Sequence, residues 1–173
     1  MENKVEKFAV AMIVNNRFGV LNRIAGLYAK RCYNIDNISA GTLDDPNYTR
    51  ITIVSTGDEY MKDQVVRQLE KLIDVRAVTL LEPENTVFAQ HMYIKMHLTG
   101  SHRGSSKHQV LDLINEYGGK VVDFGEEHLT AEITGESFIE KVRDFGILEL
   151  SRSGEIAIGL GIDNTLCVDH NEE

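Results

Sequence analysis

The stretch Asn15-Asn16-Arg17-Phe18-Gly19-Val20-Leu21 holds the residue types best suited to gripping a small charged ligand. It lies between an apolar run and an amphipathic one, which predicts the junction of a strand with a helix. A helix start presents N–H groups with no intrahelical partner and a partial positive charge, and together these receive a carboxylate. Gly19 lets that backbone approach a ligand with no Cβ in the way. Asn16 carries a donor and an acceptor on one side chain, enough to hold one end of an amino acid. The same residues also describe an ordinary turn, with Asn16 as its polar start and Gly19 as a tight bend. The local pattern leaves both readings open.

Other chemistry is sparse. No spacing of nucleophile and base and no paired carboxylates stand out, so no catalytic residue is expected in this chain. Five of the six histidines, His91, His97, His102, His108 and His128, lie between residues 83 and 161. They share no tight ligand spacing, and no metal site is expected. Cys32 and Cys167 are far apart and read as reduced thiols of a cytoplasmic protein. The net charge of −9 disfavours nucleic acid as a partner, since phosphate binding needs a clustered basic surface. No apolar run approaches the ~20 residues that span a bilayer. The polar start, residues 1–7, has no apolar signal core behind it.

Periodicity predicts the elements that must position the loop. Residues 7–14, apolar at every position from Phe8 on, read as a buried strand; a helix follows over 20–31 through Val20, Leu21, Ile24, Leu27 and Tyr28. Strands are expected at 34–43 and 48–56 across the Asp44-Asp45-Pro46-Asn47 turn, then a helix at 59–73 and a strand at 75–81. After Pro83-Glu84-Asn85 the order repeats. A strand at 91–99 puts Met92, Ile94, Met96 and Leu98 on one side and His91, Tyr93, Lys95 and His97 on the other. A loop at 100–104, a helix at 107–117 capped by Gly118-Gly119, strands at 120–124 and 129–134, a short helix at 137–144 and a closing strand at 147–158 complete it. The expected fold class is α+β: two ferredoxin-like β-α-β-β-α-β domains over 1–82 and 83–161, with a polar, frayed tail at 162–173. Open sheets of this size leave edges to cover and marginal cores, so a homodimer is expected.

Several ordered runs carry a wider resemblance. Asn16-Arg17-Phe18-Gly19-Val20-Leu21 with Arg23-Ile24-Ala25-Gly26-Leu27, then Arg31-Cys32-Tyr33-Asn34-Ile35, Asp44-Asp45-Pro46 and Arg50-Ile51-Thr52-Ile53 resemble the ACT domain of acetolactate synthase small subunits. Gln68 to Val75 continues the likeness. Lys120-Val121-Val122-Asp123, Gly146-Ile147-Leu148-Glu149-Leu150 and Arg152-Ser153-Gly154 are similar to that family's C-terminal half. The resemblance spans roughly residues 7 to 161, nearly the whole chain.

The resemblance implies a feedback module that catalyses nothing itself. It implies that an effector, usually valine, lies between two ACT domains of a dimer. One subunit's strand-to-helix loop, here Asn16, Gly19, Val20 and Leu21, would face the other's second-strand start, here Asn34 and Ile35. It also implies a separate catalytic subunit holding thiamine diphosphate, FAD and magnesium; no cofactor is expected in this chain. Cys32 stands where the family has glycine, just past a helix end where a left-handed conformation is expected and a Cβ costs about 1 kcal/mol. Gln90-His91-Met92 replaces a charged family entry to the fifth strand, and the last helix looks a turn short. The alternative from a different class is a free-standing ACT-type sensor of an amino acid or metal.

Overall fold

The computed structural model describes residues 5–98 and 107–168. These fall into two units. Residues up to Phe88 cluster with those from Glu155 onward, and Ala89–Gly154 form the second unit.

In the first unit, β1 (Glu6–Asn15), α1 (Val20–Lys30), β2 (Asn37–Thr42), β3 (Tyr48–Gly57), α2 (Glu59–Leu69) and β4 (Val75–Leu81) follow the β-α-β-β-α-β order. The sheet runs β2-β3-β1-β4, with β1 antiparallel to both β3 and β4. One face of β1, Phe8, Val10, Met12 and Val14, packs with Ile51 and Ile53 against Val20, Ile24, Leu27, Tyr28, Val65 and Leu69 of the helices. Burial pushes the Tyr28 phenol well above its usual range, while the Ser55 hydroxyl acts in the opposite direction.

The other face of this sheet is covered too. Ala9, Ala11, Val54 and Leu81 form a second small core with Ala157, and Leu166 packs against it. The half-buried Arg50 guanidinium donates to the Ala157 carbonyl (2.9 Å), and burial lowers its pKa. The Glu155 amide donates to Asn37 Oδ1 (2.8 Å), and Lys7 pairs with Glu155. So the chain's last stretch closes over the first sheet.

In the second unit, β6 (His91–His97), α3 (Lys107–Glu116), β7 (Lys120–Phe124), β8 (His128–Thr134), α4 (Ser137–Val142) and β9 (Ile147–Arg152) repeat the order, in a sheet β7-β8-β6-β9. Met92, Ile94, Met96, Leu129, Ala131 and Ile133 face Val110, Ile114, Phe138 and Val142 of the helices. Gly118 and Gly119 end α3, with Gly119 N–H donating to Ile114 O (2.7 Å). At Gly119 a Cβ would collide with the tip of the Ile133 side chain, so a larger residue would force that core side chain to shift.

The structure departs from the expectations at four points. By their contacts, residues 83–88 and 155–161, within the expected second domain 83–161, group with the first unit. The reason is a strand pair absent from the sequence reading, β5 (Thr86–Ala89) with β10 (Ile156–Gly159). The closing strand expected over 147–158 is therefore two strands in different sheets. The tail is not frayed over its described part, since Ile162–Asn164 form a 3₁₀ turn and Leu166 packs inward. In the first unit, the helix expected to run to Ile73 stops at Leu69, leaving Ile73 almost fully exposed. The loop expected at 100–104 lies outside the described residues.

Candidate effector site

The strand-to-helix loop is held from three sides. Asn15 is buried; its amide donates to Asp74 O (2.8 Å), and its Oδ1 accepts from Arg76 Nε (2.9 Å). The Asn16 amide donates to Asn47 O (2.6 Å), and its Nδ2 donates to Pro46 O (2.9 Å). Asn16 thereby ties the loop to the β2–β3 turn, which is the turn role open in the sequence. Its Oδ1 accepts none of the hydrogen bonds found among the described residues. Arg23, one turn into α1, pairs with Asp74.

Gly19 caps α1 at φ 85°, in the left-handed region, with open space where a Cβ would stand. No side chain caps the helix and no acidic residue lies in its first turn, so its positive end is left uncompensated. Val20 is buried in the core and holds the helix start in place, while Leu21 is half exposed and Phe18 wholly exposed. The loop thus offers helix-start amides, one amide side chain and an adjoining apolar surface.

Asn34 and Ile35 lie elsewhere. Asn34 is exposed, its Nδ2 donating to Asp36 Oδ1, and Ile35 is half buried against the core. They follow the C-terminal end of α1, whereas Asn16 and Gly19 precede its N-terminal end. At 1.5 Å per residue, an 11-residue helix separates them by about 16 Å. One chain does not bring the six expected residues together. The structure adds Pro46, Asn47, Asp74 and Arg76 as the residues that position the loop. The 44–47 turn signal was visible in the sequence, but its contact with Asn16 was not.

Between Lys30 and Asn37, Cys32 is the one non-glycine residue with positive φ (56°) among the described residues, as expected where the family has glycine. In the second unit, His128 Nε2 lies 2.9 Å from Asp123 Oδ2, and His91 Nδ1 lies 3.0 Å from Thr134 Oγ1. No three His, Cys, Asp or Glu side chains converge on a metal position among the described residues. His102 lies outside them. No described helix is long and apolar enough to cross a membrane.

Comparison with known proteins matches the two halves of the chain in turn. Residues 10–77 match the family model for the AHAS small subunit-like ACT domain, and residues 90–161 match that for the small subunit of acetolactate synthase. The Methanothermobacter thermautotrophicus protein named "Probable acetolactate synthase small subunit" is 36% identical over 166 residues, 93% of this chain and 97% of that one. The Aquifex aeolicus acetolactate synthase small subunit is 35% identical over 162 residues, covering 91% and 83%. The crystal structure of the small subunit from Thermotoga maritima superimposes with a TM-score of 0.81 at 30% identity, covering 90% of this chain and 98% of that one. Two domain matches in the family's order, joined by near full-length similarity, show that this chain belongs to the acetolactate synthase small-subunit family, regulatory proteins built on an ACT domain.

Proposed function

We propose that this chain activates the catalytic subunit of acetolactate synthase and confers feedback inhibition by valine or a related branched-chain amino acid. It holds no catalytic residue of its own; thiamine diphosphate, FAD and magnesium belong to the partner. The observation that carries this reading is the uncapped start of α1 at Gly19, beside the Asn16 side chain. The effector carboxylate meets the helix-start amides and Asn16, its ammonium meets carbonyl oxygens, and its branched side chain rests on Leu21 and Ile35.

A homodimer supplies the missing half of the site, and strand directions say how. β2 is an edge strand. Both β1 and β2 run antiparallel to β3, so they run parallel to each other. The end of β2 therefore lies at the same end of the sheet as the Asn16–Leu21 loop. Antiparallel pairing of two β2 edges about a two-fold axis sets the start of one β2 beside the end of the other. Asn34 and Ile35 of one copy then approach the loop of its partner. Leu43 N–H donates to Tyr48 O (3.0 Å), and counting back by alternation leaves the amides of Ile38, Ala40 and Thr42 pointing outward for this pairing.

Calorimetric titration of the dimer with valine tests the reading. Saturable binding is expected, weakened at least tenfold by Asn34→Ala, which leaves the loop's own hydrogen bonds intact. Asn16→Ala should abolish it. A folded dimer that binds no valine, leucine or isoleucine would exclude the loop as an effector site. Selection among the three rests on a methylene, worth only about 1–3 kcal/mol.

A further inference from the structure

The β5–β10 ribbon wears its large side chains on the outside. Ile156, Ile158, Leu160 and Ile162 are 48, 63, 50 and 87% exposed, while the residue between the first two, Ala157, is buried against the first sheet. Alternation in an extended strand accounts for the two faces. The small face is already spent on the unit's own core, so the aliphatic one is no leftover of intramolecular packing. Val87 on β5 is half exposed as well. At roughly 100 Å² apiece Ile156, Ile158 and Leu160 offer on the order of 300 Å², the size of the largest apolar patch on many monomers.

Beside this stripe the same unit has an apolar pit of about 240 Å³, walled by Phe8, Ala9, Val54, Leu81, Pro83 and Phe88 together with the Lys7–Glu155 ion pair. Knobs and a hole thus occur together in one unit. We propose that the outer face of this ribbon is an interface between two copies of the chain, distinct from the β2 edge, with aliphatic residues of each stripe seated in the partner's pit. Two features favour a second copy as the occupant. From Ile156 to Ile162 the stripe holds no charge, so a two-fold contact opposes no like charges at its centre, although each chain carries a net −9. Its exposed area is over a third of the about 800 Å² per partner of a standard interface, with the pit walls to add. Two two-fold contacts on one chain build a closed dimer of dimers when their axes cross at right angles, the arrangement proposed here.

Sedimentation equilibrium of the full chain tests this, comparing wild type with Ile158→Glu, Leu160→Glu, Ala40→Pro and the Ile158→Glu/Ala40→Pro pair. Ile158 and Leu160 are exposed, so a carboxylate there leaves the fold intact, which an unchanged thermal melt verifies. Ala40→Pro removes an outward amide of an edge strand, where proline is tolerated. The expected result is that either glutamate halves the wild-type mass and the double variant is monomeric. A glutamate variant with wild-type mass overturns the proposal, and so does a monomeric wild type. If the glutamates leave the mass alone but abolish capture of the catalytic subunit, the stripe faces that subunit and the proposal also fails. Halving by Ile158→Glu alone, with Ala40→Pro silent, keeps the ribbon interface and removes the β2 pairing instead.

Discussion

The two units share a topology, β2-β3-β1-β4 in one and β7-β8-β6-β9 in the other, yet their central strands are buried differently. From Phe8 to Asn15 every residue of β1 is buried, whereas β6 alternates, with Met92, Ile94 and Met96 buried and His91, Tyr93 and His97 exposed. On the face away from the helices the first sheet carries Ala9, Ala11, Thr52 and Val54, small enough for a chain segment to lie close, and residues 155–168 do so. The second sheet carries Tyr93, Lys95, His97, Thr130 and Glu132 there, with Lys95 paired to Glu149 across β9. The same fold therefore tolerates either a covered or an open second face. The choice is written in the size and polarity of one set of alternate positions.

The helix ends offer a finer comparison. In α1, Cys32 N–H donates to Ala29 O and Tyr33 N–H to Tyr28 O; in α3, Gly118 donates to Asn115 O and Gly119 to Ile114 O. Both turns pass through a left-handed residue, Cys32 at φ 56° and Gly118 at φ 64°. The second unit uses glycine for this, and the first uses a side chain that strains the backbone.

The largest effect should come from ending the chain at Gly154. This uncovers Ala9, Ala11 and Val54 and is expected to cost the first unit roughly 2–4 kcal/mol, from the apolar area returned to water. Hydrogen exchange resolved by segment should show protection lost in β1 and β3 and retained in β6 and β8. Equal protection in both would break the comparison. Next, Ala11→Leu should destabilise by about 1–3 kcal/mol through overpacking, while Lys95→Leu on the open face stays within about 0.5 kcal/mol, both read by urea unfolding. The smallest effect is at the helix ends. Cys32→Gly should raise stability by up to about 1 kcal/mol and Gly118→Ala lower it by a similar amount, seen as opposite shifts in Tm.

Much of this was legible because the signals were local. The 3.6-residue spacing of Val20, Ile24, Leu27 and Tyr28, the alternation of Met92, Ile94 and Met96, and the Gly118-Gly119 stop each report one element's contact with one core. The continuous apolar run of β1 already implied cover on both faces. What supplied the second cover was hidden, because Ala157 and Leu166 are few, small and more than 140 residues from Ala9 and Ala11. At the site, the loop motif and its helix start could be read in sequence. The hold of Pro46 on Asn16 could not, since a backbone carbonyl leaves no trace in residue type.

The sequence by itself determined the two repeated β-α-β-β-α-β units and the helix start at Gly19, since each follows from backbone sterics and periodicity within a few residues; the left-handed turn at Cys32 was implied by the family resemblance. Only the tertiary structure decided where residues 155–168 go, whether the second face of each sheet is covered or open, and that Pro46 and Asn47 hold Asn16. Those outcomes depend on which distant surfaces exclude water together.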